Sequence, residues 1–246
     1  MNVSFTLTMA TALRVLRQVR HDRRTVALLL IVPCVLLGLS AWIFQNTPVF
    51  DRIGAPLLGI FPFVIMFLLT SITTLRERRS GTLERLLAMP LAKADFVAGY
   101  AVAFGLLAGL QAVVATTFAV GVLRLDVPGG VGLLLAVAVL DALLGSALGL
   151  FASAFATTEF QAVQFMPALV LPQFFLSGLL VPRAGLPTVL RFVSDVLPLS
   201  YAVDAMHTLS TAGGRSGDVI RDMAIMLFFV VLAVGTGAVT LRRRTA

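Results

Sequence analysis

Six long apolar runs, separated by short charged clusters, restrict what this chain can fold into. A helix of about 20 apolar residues crosses a hydrocarbon core of about 30 Å. Inside lipid every backbone N–H and C=O must be satisfied within the segment, which leaves helices as the economical solution for runs of this length. The sequence therefore predicts an all-α integral membrane protein with six transmembrane helices, at roughly 26–44, 54–75, 96–123, 131–156, 162–180 and 223–241. Residues 1–246 read as one transmembrane domain. Hydrophobic residues make up 59% of the chain and charged residues 13%, against about 45–50% and about 25% in soluble domains.

Residues 1–24 form a basic amphipathic start. Leu7, Leu13, Leu16 and Val19 share a face, and Arg14, Arg17 and Arg20 line another, as in a helix lying in the headgroup plane. The plainer reading is a basic anchor. No short apolar core with a small-residue cleavage site precedes the first run, so no cleaved signal peptide is expected. With the amino terminus inside, thirteen of the 19 basic residues fall on inner segments, which places both termini in the cytoplasm. The net charge of +7 sits in clusters beside apolar runs, without the aromatic-interleaved basic surface of a single-strand binder, so no nucleic-acid partner is expected. Cys34 is the only cysteine, so no intrachain disulfide can form. Lys93 is the only lysine, and this arginine bias with the Ala and Val richness points to a GC-rich bacterial genome.

The most charged stretch is 76–91, RERRSGTLERLLAMPL, between the second and third apolar runs. Thr82 follows Gly81 and offers a capping hydroxyl. Glu84 sits in the first turn, at the positive end of the helix dipole. Leu83, Leu86 and Leu87 give one apolar stripe, and Pro90 ends the run. A helix of about two turns is not stable alone. It is either held by headgroups or a partner, or the stretch is a charged loop that sets topology.

Glu77-Arg78, Gly81-Thr82-Leu83-Glu84, Leu87 and Pro90 resemble the loop after the second span in the type 2 ABC transporter permeases, a family of drug-resistance, polysaccharide and nodulation-type exporters. The resemblance covers nearly the whole chain. A second motif, Leu197-Pro198-Leu199-Ser200-Tyr201 with Asp204 and Ala205, agrees, with His207 where many members carry a more basic residue. It implies that residues 76–93 carry a coupling helix docking on an ATP-hydrolysing subunit through Glu77, Arg78, Gly81, Thr82, Leu83, Glu84, Arg85, Leu87 and Pro90. It implies re-entrant-like short helices within the outer segment 181–222. It also implies two permease subunits, identical or paralogous, and separate ABC ATPase subunits. This chain would hold no cofactor; ATP and Mg would bind the partner ATPase. The implied role is export across the inner (cytoplasmic) membrane. The few charges in the spans suit a hydrophobic or amphipathic substrate, drug-like first and lipid or glycolipid second.

Four polar residues lie inside apolar runs and are candidates for a substrate path: Gln111, Asp141, Gln164 and Gln173. A carboxylate mid-span costs about 2.5–3.5 kcal/mol on insertion scales, so Asp141 faces protein or water or is protonated. It is either a functional polar point or a structural hydrogen-bonding group. The alternative function is an ion-gradient-driven secondary transporter using Asp141 with Gln111. Gly105/Gly109 and Gly145/Gly149 each form a GxxxG pair that permits close helix contact. No catalytic or metal site is expected. Lys93 follows Ala92 rather than a P-loop glycine, and His21 and His207 lack ligand spacing.

Overall fold

The computed structural model describes residues 5–45, 47, 49–79, 93–211 and 214–240. Among the described residues there are nine α-helices and no strand. They are α1 (Phe5–His21), α2 (Arg23–Ile43), α3 (Val49–Arg79), α4 (Lys93–Thr117), α5 (Val131–Ser153), α6 (Glu159–Leu176), α7 (Thr188–Val196), α8 (Pro198–Ser210) and α9 (Ser216–Thr240). A five-residue π-helix, Phe118–Val122, continues α4, and Arg124 then takes a positive φ of 55° as the chain turns.

Five of these helices are long and apolar enough to cross a membrane: α2, α3, α4 with its π turn, α5 and α9. The expected fifth span is the exception. Its helix, α6, has 18 residues, about 27 Å at 1.5 Å per residue. Glu159, Gln161, Gln164 and Gln173 lower its hydropathy below that of the other five. The last helix begins at Ser216, earlier than the apolar run alone indicates, because Asp218 and Arg221 pair within its first turns.

α3 is the axis of the bundle. It packs against α5 more extensively than any other two helices pack, and also touches α2, α6 and α8. Glycine allows this approach. A Cβ on Gly145 would lie 2.3 Å from the Phe63 carbonyl oxygen, and one on Gly149 would lie 2.4 Å from that of Phe67. Phe63, Phe67 and Leu144 are buried at this seam with Leu199 and Met226 from α8 and α9. A second cluster joins α1 to α4 and α3 through Val15, Val19, Met66, Tyr100 and Phe104. By contrast α2 and α9 are the least enclosed of the five long helices, and apolar side chains such as Leu28, Ile31, Phe228 and Val231 face outward. Exposed apolar surface of this extent fits a lipid environment or a partner helix.

α7 and α8 lie within the 181–222 segment. α7 is short and amphipathic, with Val189, Phe192 and Val196 exposed. Pro198 opens α8 at its first turn, where its missing N–H has no helical partner to lose. α8 is buried along one face by Leu199, Val203, Met206 and Leu209. Its end meets the loop before α5, where the Gly129 N–H donates to the Leu209 carbonyl at 3.0 Å.

The two GxxxG pairs are therefore unequal. Gly109 has nothing within 4 Å of a would-be Cβ, and Gly105 meets only a Leu143 methyl at 3.5 Å. Gly145→Ala and Gly149→Ala are each expected to cost about 1–3 kcal/mol by overpacking, and Gly105→Ala and Gly109→Ala to stabilise by up to about 1 kcal/mol through helix propensity. Thermal unfolding of the four detergent-purified variants measures the difference.

Candidate functional site

The polar groups of interest gather at the end of the bundle that holds α1. Three helix segments converge there: the end of α3, the start of α2 and the start of α6. α3 continues past its apolar core into Arg76, Glu77, Arg78 and Arg79, and the chain resumes as α4 at Lys93. Gly81, Thr82, Leu83, Glu84, Arg85, Leu87 and Pro90 lie outside the described residues, as does the expected coupling helix. Arg78 lies in α3, and its side chain is not among those described.

Glu77 turns inward. It is only 3% exposed. Arg14 of α1 reaches it with two contacts, NH1 to Oε1 and NH2 to Oε2, each 3.1 Å. The same guanidinium donates to the Tyr100 hydroxyl of α4 at 3.2 Å. Arg14 thus fastens α1 to both helices that flank residues 80–92, to α3 by an ion pair and to α4 by a hydrogen bond. Arg76 points another way and forms a bidentate pair with Glu159, Nε to Oε1 at 2.8 Å and NH2 to Oε2 at 3.0 Å. That pair ties the end of α3 to the start of α6, above a small apolar cluster of Leu75, Ala156 and Ala162. The hydrogen bond from Arg76 holds the Glu159 carboxyl below its ordinary value. Asp22 caps α2, accepting from the Thr25 N–H and hydroxyl, and these bonds lower its pKa as well.

The four mid-span polar residues are not brought together. The Gln111 amide donates to the Leu29 carbonyl at 3.0 Å. That carbonyl lies four residues before Pro33, whose missing N–H would otherwise have bonded it. Gln173 donates to Leu169 within α6 and accepts from the Leu199 N–H at 3.3 Å, so it holds the first turn of α8. Gln164 is exposed on α6. Asp141 is fully buried in α5 and neither oxygen has a hydrogen-bond partner. Gly59 of α3 faces it: a Cβ on Gly59 would lie 2.9 Å from Oδ2 and 3.6 Å from the Met206 methyl of α8.

At the opposite end, Arg183 pairs with both Asp195 and Asp204 and lies over the Tyr201 ring at 5.1 Å. The Tyr201 hydroxyl donates to the Asp195 carbonyl at 2.6 Å, and Ser194 and Ser200 meet at 3.2 Å. Sequence reading singled out Tyr201 and Asp204 within a motif but missed Arg183 and Asp195. Their pairing depends on how α7 folds back, and only the opposite charges hint at it.

Two outcomes follow from the α1-end pairs. Removing one partner of a fully buried pair costs about 3–5 kcal/mol. Arg14 is a third exposed, so Glu77→Ala is expected to cost about 2 kcal/mol by denaturant unfolding. The Arg76–Glu159 pair stabilises above the ordinary glutamate pKa of about 4.3 and is lost as pH falls through the lowered folded value. The stability gap between wild type and Glu159→Gln should be constant at neutral pH and close on acidification.

The family model for the ABC-2 type transporter matches residues 6–209. The chain is 26% identical over 185 residues to the probable multidrug ABC transporter permease YbhS of Escherichia coli, covering 74% of this chain and 48% of that protein. It is 24% identical over 188 residues to the linearmycin resistance permease protein LnrN of Bacillus subtilis, covering 73% of this chain and 48% of that protein. It is also 26% identical over 168 residues to ABC transporter G family member 20 of Dictyostelium discoideum, covering 68% of this chain and 23% of that protein. The chain thus spans about half the length, or less, of the curated relatives it matches. With the family match running from α1 to the end of α8 over a bundle of apolar helices, the chain belongs to the ABC-2 type transporter family.

Proposed function

We propose that this chain is the transmembrane subunit of an ATP-driven exporter in the inner (cytoplasmic) membrane. The family match over residues 6–209 carries the reading. The bundle's construction supports it: α3 and α4 bracket residues 80–92, and Arg14 ties both to α1, through Glu77 and through Tyr100. Separate ABC ATPase subunits, holding ATP and Mg, dock on the 80–92 stretch, with Gly81, Thr82, Glu84 and Arg85 at the contact. A second permease subunit, identical or paralogous, completes the path. α6 serves as the sixth span in the count, paired with the partner subunit or lining the path, where its glutamines and prolines are tolerated. Both termini lie in the cytoplasm. The substrate is hydrophobic or amphipathic. The multidrug and linearmycin-resistance names of two relatives favour a drug-like compound, with lipid or glycolipid second.

A second reading rests on Asp141, buried without a hydrogen-bond partner. An ion-gradient-driven transporter would use such a group for coupling. Co-expression with the cognate ABC ATPase separates the two. The exporter reading expects wild type to bring down the ATPase, and Gly81→Pro and Glu84→Arg to lose it or to reduce substrate-stimulated hydrolysis at least tenfold. Asp141→Asn should leave ATPase capture intact. Transport lost in Asp141→Asn and untouched in Glu84→Arg would transfer the function to the second reading.

A further inference from the structure

α1, the start of α2 and the end of α3 line an open-sided groove of about 340 Å³. Its volume falls at the small end of the range for ligand pockets. Its walls change character along their length. On α3 the lining residues Ile65, Leu68, Leu69 and Ile72 are followed by Thr73 and Arg76. On α2 the sequence runs the other way, from Asp22 and Thr25 to Leu28, Leu29 and Val32. The two helices are antiparallel neighbours, so both walls pass from polar to apolar in the same direction. At 1.5 Å per residue the groove extends ~15 Å from the level of Asp22 and Arg76 to that of Val32 and Ile65, and its apolar throat, residues 28–32 against residues 65–72, takes up about 6–10 Å of that. Gln18 of α1 adds a polar group to the groove wall.

The mouth presents both signs of charge. Asp22 uses its two oxygens on Thr25, and an ionised carboxylate has about four acceptor sites. Arg76 places Nε and NH2 on Glu159, and a guanidinium carries five N–H donors. Each group therefore retains capacity toward a ligand. Glu159 offsets part of the Arg76 charge, and Asp22 offers a partner to a cationic group that a purely anionic head would leave unused.

The geometry points to a binding slot for one single-tailed zwitterionic amphiphile, its tail between α2 and α3 and its head at Asp22 and Arg76. A cationic head group faces Asp22, and a phosphate or other anionic group faces Arg76. The slot lies within one subunit. It rests on the proposed function only in placing α1 at the inner leaflet.

Photolabelling of the full chain in phosphatidylglycerol nanodiscs, without ATP or ATPase, tests it. The probe is lysophosphatidylcholine with a diazirine near the tail end. Label is expected within residues 25–32 and 65–72. Leu68→Trp and Val32→Trp fill the throat from opposite walls, and each should reduce that label at least fivefold while the protein remains monodisperse. Leu106→Trp, on the exposed face of α4, should not. Unlabelled lysophosphatidylcholine should displace the probe at least fivefold better than lysophosphatidylglycerol. Label spread evenly over exposed apolar faces, label unchanged in both throat variants, or equal displacement by the two lipids would overturn the slot. Failure of ATPase coupling would leave these results standing, so the two proposals fail separately.

Discussion

The approach of α5 to α3 is the contact on which the rest of the bundle depends. Gly145 and Gly149 let the α5 backbone rest against the carbonyl oxygens of Phe63 and Phe67. In lipid there is no hydrophobic gain in moving one apolar helix against another, so close packing of small residues has to supply the attraction. With α3 and α5 fixed, α8 and α9 pack on one side of the seam and α4 with α1 on the other. α3 then continues through Pro56 and Pro62 as one helix and delivers Arg76 and Glu77 to the α1 end.

A second constraint explains the polar residues inside the bundle. A carbonyl freed by proline in an apolar setting needs another donor. Gln111 supplies it to Leu29 from the neighbouring helix. Gln173 performs a related task for α8, whose first-turn N–H of Leu199 lacks a helical partner. Ser194 donates to the Leu176 carbonyl at 2.7 Å at the end of α6. These groups hold helices at their breaks, so two of the four candidate path residues have structural partners. Asp141 has none, and its carboxyl lies against Gly59 of α3.

Much of this was legible in the sequence. Apolar run length located five long helices, and the amphipathic start located a helix at α1 but not its buried face: of Leu7, Leu13, Leu16 and Val19 only Val19 is buried, beside Thr8, Thr11, Ala12 and Val15, while Leu7 and Leu13 face outward. What stayed hidden depends on contacts between distant segments. Glu77 reads as a surface charge beside three arginines, yet Arg14, 63 positions earlier, turns it inward. The two GxxxG pairs are identical as text, and only the helix faces show that Gly145 and Gly149 meet a backbone while Gly109 meets nothing. α6 falls between categories because its glutamines and prolines suit packing against protein better than lipid.

We propose that an ATPase acts on this chain through the stretch joining α3 to α4, by way of the ion-paired end of α3. Site-specific cross-linking reads that contact directly. In a Cys34→Ala background, Glu84→Cys is carried alongside a control in the loop between α4 and α5, Asp126→Cys, and each is treated with a short thiol-to-amine cross-linker in membranes containing the ATPase. The account predicts a permease–ATPase adduct from position 84, responsive to ATP, and none from position 126. An adduct from position 126 alone, or from neither position while transport proceeds, would contradict it.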